Sequence, residues 1–146
     1  MSRPAVRWNA ICIDCGPSDF AATVSFYRSF LDRPLGEDSC VDPDTCTHEG
    51  DGHWARVPGS RSEISVLIQA EPWYQTPTWP EQPTTQQTKM MHFEVMVEDV
   101  PSSVAFAVSC GATESGYQPP DRDHLRSRVM LDPAGHPFCL WRPPSD

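Results

Sequence analysis

The sequence predicts an α+β domain in which tandem βαβββ modules form a curled mixed sheet around a cavity, with the helices outside. Three observations predict it. Several short segments alternate apolar and polar residues, the period of a half-buried strand. Two segments carry apolar residues at helical spacing. The order of strand, helix and three strands then occurs twice along the 146 residues, a length that suits one domain.

Asn9 to Cys15 sets Ile11, Ile13 and Cys15 against Ala10, Cys12 and Asp14, which predicts a strand with one apolar face. Ser18 to Leu31 predicts a helix. Phe20, Val24, Tyr27 and Leu31 recur on one side, and Phe26 and Phe30 widen the stripe. Ser18 or Asp19 can cap it, because a short side-chain oxygen accepts an otherwise unpaired amide hydrogen. A short strand is expected near Pro34 to Ser39, then a polar loop with Cys40, Cys46, His48 and Asp51. His53 to Val57 and Glu63 to Ala70 read as strands separated by the turn Pro58-Gly59-Ser60.

Residues of about 71–88 form a polar, proline-rich linker carrying Trp73, Tyr74 and Trp79, aromatics expected to pack outside the sheet or on a partner subunit. The order then repeats. Met90 to Val97 alternates Phe93, Val95 and Val97 with His92, Glu94 and Met96. Val100 to Cys110 is a helix closed by Gly111. Thr113 to Gln118, Arg126 to Leu131 and Phe138 to Arg142 are strands, with a turn at Asp132-Pro133-Ala134-Gly135. The two helix starts, from Asp19 to Phe26 and from Asp99 to Phe106, fall in register: acid, apolar, small, Val and Phe. Module 1 therefore covers about 9–70 and module 2 about 89–142 of a single domain. One module leaves its sheet half covered; two side by side enclose a cavity.

Composition excludes several function classes. The hydrophobic share is 38%, so the chain is not of a disordered type. Formal net charge is -9 with no Lys/Arg run, which argues against nucleic acid and anionic membranes as partners. No apolar stretch approaches the roughly 20 residues that span a bilayer, and Met1 to Trp8 has no apolar signal region. A cytoplasmic protein with its six cysteines reduced is the expectation. No glycine-rich phosphate loop and no Gly-x-Ser-x-Gly is present, so nucleotide binding and serine hydrolysis have no support.

Certain residues carry a resemblance to a known family. They are Ser25-Phe26-Tyr27 and Phe30-Leu31, then Met91 to Val95 with Val97-Glu98-Asp99, and finally Leu131-Asp132-Pro133-Ala134-Gly135-His136-Pro137-Phe138. In these the chain resembles the vicinal oxygen chelate superfamily of glyoxalases, bleomycin-resistance proteins and extradiol dioxygenases, over about Asn9 to Trp141. The resemblance implies four cavity-facing strand positions that hold a divalent metal in metal-dependent members. Here they fall on Ala10 or Ile11, on Ser65 or Leu67, on His92, and on Cys139. Only His92 matches cleanly, with Cys139 a soft ligand at most. A catalytic metal normally needs three protein ligands. No metal site and no cofactor are therefore expected. The resemblance also implies a homodimer, to which the aromatic linker from Trp73 to Trp79 could supply buried contacts.

His92, Glu94 and Met96 share one strand face, and the resemblance turns that face to the cavity. Glu94 could orient His92 as a general base, which makes these two the candidate catalytic residues. Cys12, Asp14, Trp54, Gln69, Met96, Cys139 and Trp141 are the candidate ligand-binding residues. Cys12 and Cys15 have Cys-x-x-Cys spacing, but residues three apart on a strand face opposite ways and cannot share an ion. Cys40, Cys46, His48 and His53 are spaced too loosely to predict zinc. Asp132 and Gly135 are expected to be structural and His136 exposed. The functional expectation is a protein that binds a small, apolar or aromatic organic molecule without a tightly bound metal. The alternative is a lyase or isomerase acting through His92 and Glu94, with or without a metal.

Overall fold

The structure is a computed structural model that describes residues 9–41, 53–60, 62–79 and 91–143. The first half contains β1 (Ala10–Cys15), α1 (Phe20–Phe30), β2 (Trp54–Val57) and β3 (Ser65–Ala70). The second contains β4 (Phe93–Met96), α2 (Val100–Ser109), β5 (Thr113–Glu114), β6 (Ser127–Leu131) and β7 (Pro137–Trp141). The described strands form two mixed sheets, ordered β1-β3-β2 and β4-β7-β6-β5, with no closed barrel. In each half the first strand runs parallel to the last, and the last is antiparallel to its predecessor. The expected curled sheet is thus divided in two, with β1 and β4 as edge strands.

Alternation fixes which side chains each sheet buries. Ile13 and Cys15 of β1 are buried, while Cys12 and Asp14 are exposed. Phe93 and Val95 of β4 pack against the core, and His92, Glu94 and Met96 face outward. The helical stripe of α1 buries Phe20, Thr23, Val24, Phe26 and Tyr27. Its aromatic residues cross to the other half: Phe26 and Phe30 each lie 5.7 Å from Phe138, and Phe30 stacks on Phe106 of α2 at 6.1 Å. One buried cluster therefore includes residues of both halves.

Three local expectations are corrected. Pro34 to Ser39 is not a strand, because Ser39 N–H turns back to the Gly36 carbonyl at 3.0 Å and only a single bridge, Cys40 to Trp54, pairs with β2. β5 ends at Glu114 because side chains then take over the ladder. The Gln118 amide both donates to the Val129 carbonyl and accepts from its N–H, each at 2.8 Å. Neither Ser18 nor Asp19 caps α1 through its side chain. Asp19 is already helical in its backbone, whereas Asp99 is extended and its carboxylate accepts from Ser102 N–H at 2.9 Å. Gly111 closes α2 at φ 113°, as expected of a helix-ending glycine. The loop holding Cys46, His48 and Asp51 lies outside the described residues. Cys40 is disulfide-bonded, so the expectation of reduced cysteines does not hold for it.

The turn between β6 and β7 joins the halves. Asp132 is buried at 3% exposure. Its carboxylate accepts from the Tyr27 hydroxyl at 2.8 Å, from Ala134 N–H at 3.0 Å and from His136 N–H at 2.8 Å. Burial raises its pKa above the ordinary value, while the nearby His136 and these donors oppose the rise. Gly135 turns the chain at φ 87°, a conformation that favours glycine, and a Cβ there would lie 2.4 Å from Thr76 Cγ2, which would have to shift.

Tyr27→Phe should keep the aromatic packing and remove one donor from a buried carboxylate. We expect a loss of about 1–3 kcal/mol in urea unfolding with an unchanged m-value. A variant as stable as the parent would show that the bond does not hold the halves together.

Candidate functional site

A cavity of about 610 Å³ opens between the two sheets. Residues 11–14 of edge strand β1 form one wall, and Met91, His92 and Phe93, leading into edge strand β4, form the opposite one. The linker covers it with Glu71, Trp73, Tyr74, Gln75 and Pro77, and the β6–β7 turn contributes His136 and Pro137.

Side chains from the turn and the linker lock this junction. The Tyr74 hydroxyl donates to the Ala134 carbonyl at 2.7 Å and lies 3.2 Å from His136 Nε2. His136 Nε2 is 2.6 Å from the Asp14 carbonyl of β1. A carbonyl only accepts, so Nε2 carries the proton and donates it to β1. Burial raises the Tyr74 pKa, with Asp132 adding to the effect, so the phenol stays protonated and available as a donor.

A polar row runs along the outward face of β1 and β3. The Cys12 thiol lies 4.0 Å from Asp14 Oδ1 and 3.7 Å from Gln69 Oε1, and the Gln69 amide donates to Glu71. Burial raises the Cys12 pKa, and the charges of Asp14 and Glu71 raise it further. That thiol is therefore a poor nucleophile at neutral pH. Buried Cys15 is pushed up to about 11 by desolvation and is equally inert.

On the second sheet His92 Nε2 and Glu94 Oε1 are 2.9 Å apart. The carboxylate accepts, so Nε2 carries the proton of this contact. Glu94 pairs across the ladder with Cys139. A ring nitrogen of His92, a Glu94 oxygen and the Cys139 sulfur all lie within 4.8 Å of one another. These are three ligand types that suit a borderline-soft divalent ion. Glu94, which the resemblance leaves out of the ligand set, thus completes the minimum number. The corresponding first-half positions supply none: Ala10 pairs with Ser65, and Ile11 pairs with Val66, next to Leu67.

The cavity brings together Cys12, Asp14 and His92 of the candidates named from sequence. Glu94, Met96, Cys139 and Trp141 stand on the second sheet away from its lining, and Trp54 and Gln69 face each other across β2 and β3. Sequence reasoning missed Tyr74, Glu71 and His136. The sequence places the linker aromatics outside the sheet or on a partner subunit, and His136 in solvent. Tyr74 is half-buried against the turn and His136 is partly buried beside it. The proximity of His136 to Asp132-Pro133-Ala134-Gly135 was the one available signal.

Residues 10–141 match the model of the family described as Glyoxalase-like domain. No sequence among curated proteins matches the chain. Several solved structures share its fold. TnmS3, an antibiotic binding protein from a Streptomyces species, is 16% identical with a TM-score of 0.56, over 98% of this chain and 100% of that one. A glyoxalase family protein from Enterococcus faecalis is 17% identical with a TM-score of 0.58, over 92% and 96%. The trypanothione-dependent glyoxalase I of Leishmania major is 16% identical with a TM-score of 0.56, over 94% and 87%. At such identities the likeness concerns the fold. Because the family model spans nearly the whole chain and the two-sheet architecture recurs in these structures, the protein belongs to the glyoxalase-like domain family of the vicinal oxygen chelate superfamily.

Proposed function

We propose that the protein binds a small, apolar or aromatic organic molecule in the cavity between β1 and β4, and does so without a tightly bound metal. The observation that carries this reading is the cavity itself. Its volume of about 610 Å³ lies in the range of small-molecule sites, and Ile11, Tyr74, Met91 and Phe93 give it apolar surface beside the polar Asp14, Glu71, Gln75, His92 and His136. The antibiotic-binding role of a protein with the same fold supports the reading by analogy. No described helix is long and apolar enough to cross a membrane. The cytoplasm remains part of the proposal, as does the absence of nucleic-acid and membrane partners.

A compound library should contain ligands that raise the melting temperature, because binding to the native state alone stabilises it by about 2.7 kcal/mol at a hundredfold excess over Kd. Cys12→Phe, placed on an exposed β1 position that lines the cavity, should abolish the shift without unfolding the protein. A full shift in that variant would move the ligand elsewhere. The absence of any stabilising compound would count against binding.

A second reading is favoured by the 2.9 Å contact of His92 with Glu94 and by the nearby Cys139. In it the protein is a lyase or isomerase, with His92 Nδ1 taking a proton from the substrate while Glu94 fixes the ring. A metal held by His92, Glu94 and Cys139 would supply Lewis acidity to such a reaction. Elemental analysis after chelator-free purification tests the metal-dependent form of the second reading. We expect far less than one equivalent of zinc, nickel, iron or manganese. One equivalent that is lost in His92→Ala would put the second reading first.

We also propose a homodimer. Met96 is 67% exposed and Leu125 66%, apolar side chains outside the cavity that a partner would cover. Light scattering in dilute solution should return twice 16.3 kDa. A value of 16.3 kDa would refute the dimer.

A further inference from the structure

The charge of the cavity is one-sided. Asp14 and Glu71 line it, and no Lys or Arg is among the described residues that do so. Neither carboxylate makes an ion pair among the described residues: the Asp14 oxygen meets only the Cys12 thiol at 4.0 Å, and Glu71 meets only the Gln69 amide. Elsewhere in the fold carboxylates do find cations, as Asp38 does with Arg56 at 2.7 Å and Glu63 with Arg33. Burial raises the Cys12 pKa, and the charges of Asp14 and Glu71 add to the rise.

Aromatic faces accompany this charge. Trp73 and Tyr74 follow Glu71 on the linker, and Phe93 stands on the opposite wall. Aromatic faces attract cations and stack on planar rings. β1 adds main-chain acceptors. Its odd-numbered residues bond to β3, as the Asn9 and Cys15 carbonyls do, so the Cys12 and Asp14 carbonyls point out from the open edge. His136 occupies that of Asp14, and Cys12 itself lines the cavity. Carboxylates, an edge-strand carbonyl and aromatic faces all complement a ring that bears N–H donors and a positive charge.

We propose that the cavity selects planar aromatic ligands bearing a protonated amine, held between Asp14 and Glu71 with the ring against the linker aromatics. This inference rests on the small-molecule reading above and narrows it. An anionic aromatic of the same size meets uncompensated repulsion in the same place.

The test compares two fluorescent probes, the cationic acridine proflavine and the anionic 1-anilinonaphthalene-8-sulfonate. Each is titrated into the full chain, into the near-isosteric Asp14→Asn/Glu71→Gln variant, and into Glu98→Gln/Asp121→Asn. The last removes the same number of charges at exposed positions away from the cavity. We expect proflavine to bind the parent at least about tenfold more tightly than the sulfonate. We further expect the cavity variant to weaken proflavine by about tenfold and the remote variant to change it by less than about threefold. Equal loss in both variants would mean that proflavine responds to net charge alone and would overturn the selection. Binding of both dyes that Cys12→Phe abolishes, but that Asp14→Asn/Glu71→Gln leaves unchanged, would overturn it too, with the small-molecule reading intact. If neither dye shows binding that Cys12→Phe abolishes, both readings fall.

Discussion

A single buried carboxylate ties the molecule together. Asp132 sits in the β6–β7 turn of the second half, yet one of its oxygens is bonded to Tyr27 on α1 of the first. Burying a charge is costly unless it is well paired, and here a hydroxyl and two backbone amides meet it. The residues that satisfy it are fixed in turn. Ala134 then presents its carbonyl to Tyr74 of the linker, and His136 reaches the Asp14 carbonyl on β1. Helix, turn, linker and edge strand are thus held by one connected set of hydrogen bonds. Such a network is strong when every member is satisfied and weak when one is removed.

The cavity is a consequence of that arrangement. Edge strands expose unpaired main-chain groups, which proteins usually cover or pair. β1 and β4 do not pair with each other; they stand on either side of the cavity. His136 takes one of the open carbonyls, and the linker lies over the gap. Gly135 turns the chain against the linker, where a Cβ would lie 2.4 Å from Thr76 Cγ2. A ligand entering there meets strand edges rather than the broad face of a sheet. That is why Ile11 and Cys12, which point to opposite faces of β1, both line it.

Two chemistries then sit next to each other. His92 belongs to the cavity wall and also to the group with Glu94 and Cys139 on the second sheet. The first half offers Ala10 and Ser65 at the register of its outward face, which leaves the second half to supply any ligand to an ion. The duplicated halves are thus unequal at this register, with all three groups within reach of one another on the second sheet. The charged cluster around Cys12 lies on the first sheet, so acidic groups flank the cavity on one side and the imidazole of His92 on the other.

Much of the fold was legible in the sequence because it follows from local rules. The period of two in Ile11, Ile13 and Cys15 fixed the face of β1, and the helical stripe from Phe20 to Leu31 placed α1 within two residues at each end. The duplication and the Asp132-Pro133-Ala134-Gly135 turn pointed to the family. What failed locally did so where side chains replace the backbone ladder, as Gln118 does opposite Val129, or where a tight turn interrupts it at Gly36 to Ser39. The site was legible only in part. Strand alternation alone put Cys12, Asp14 and His92 on outward faces. It could not place Tyr74, Glu71 and His136 around the same cavity, because linker and turn residues have no periodicity to reveal where they point. Their positions were decided by contacts far apart in sequence, above all the bonds of Asp132 to Tyr27 and of His136 to Asp14. Sequence patterning determines which face of an element is apolar; only tertiary packing determines which polar groups share a space.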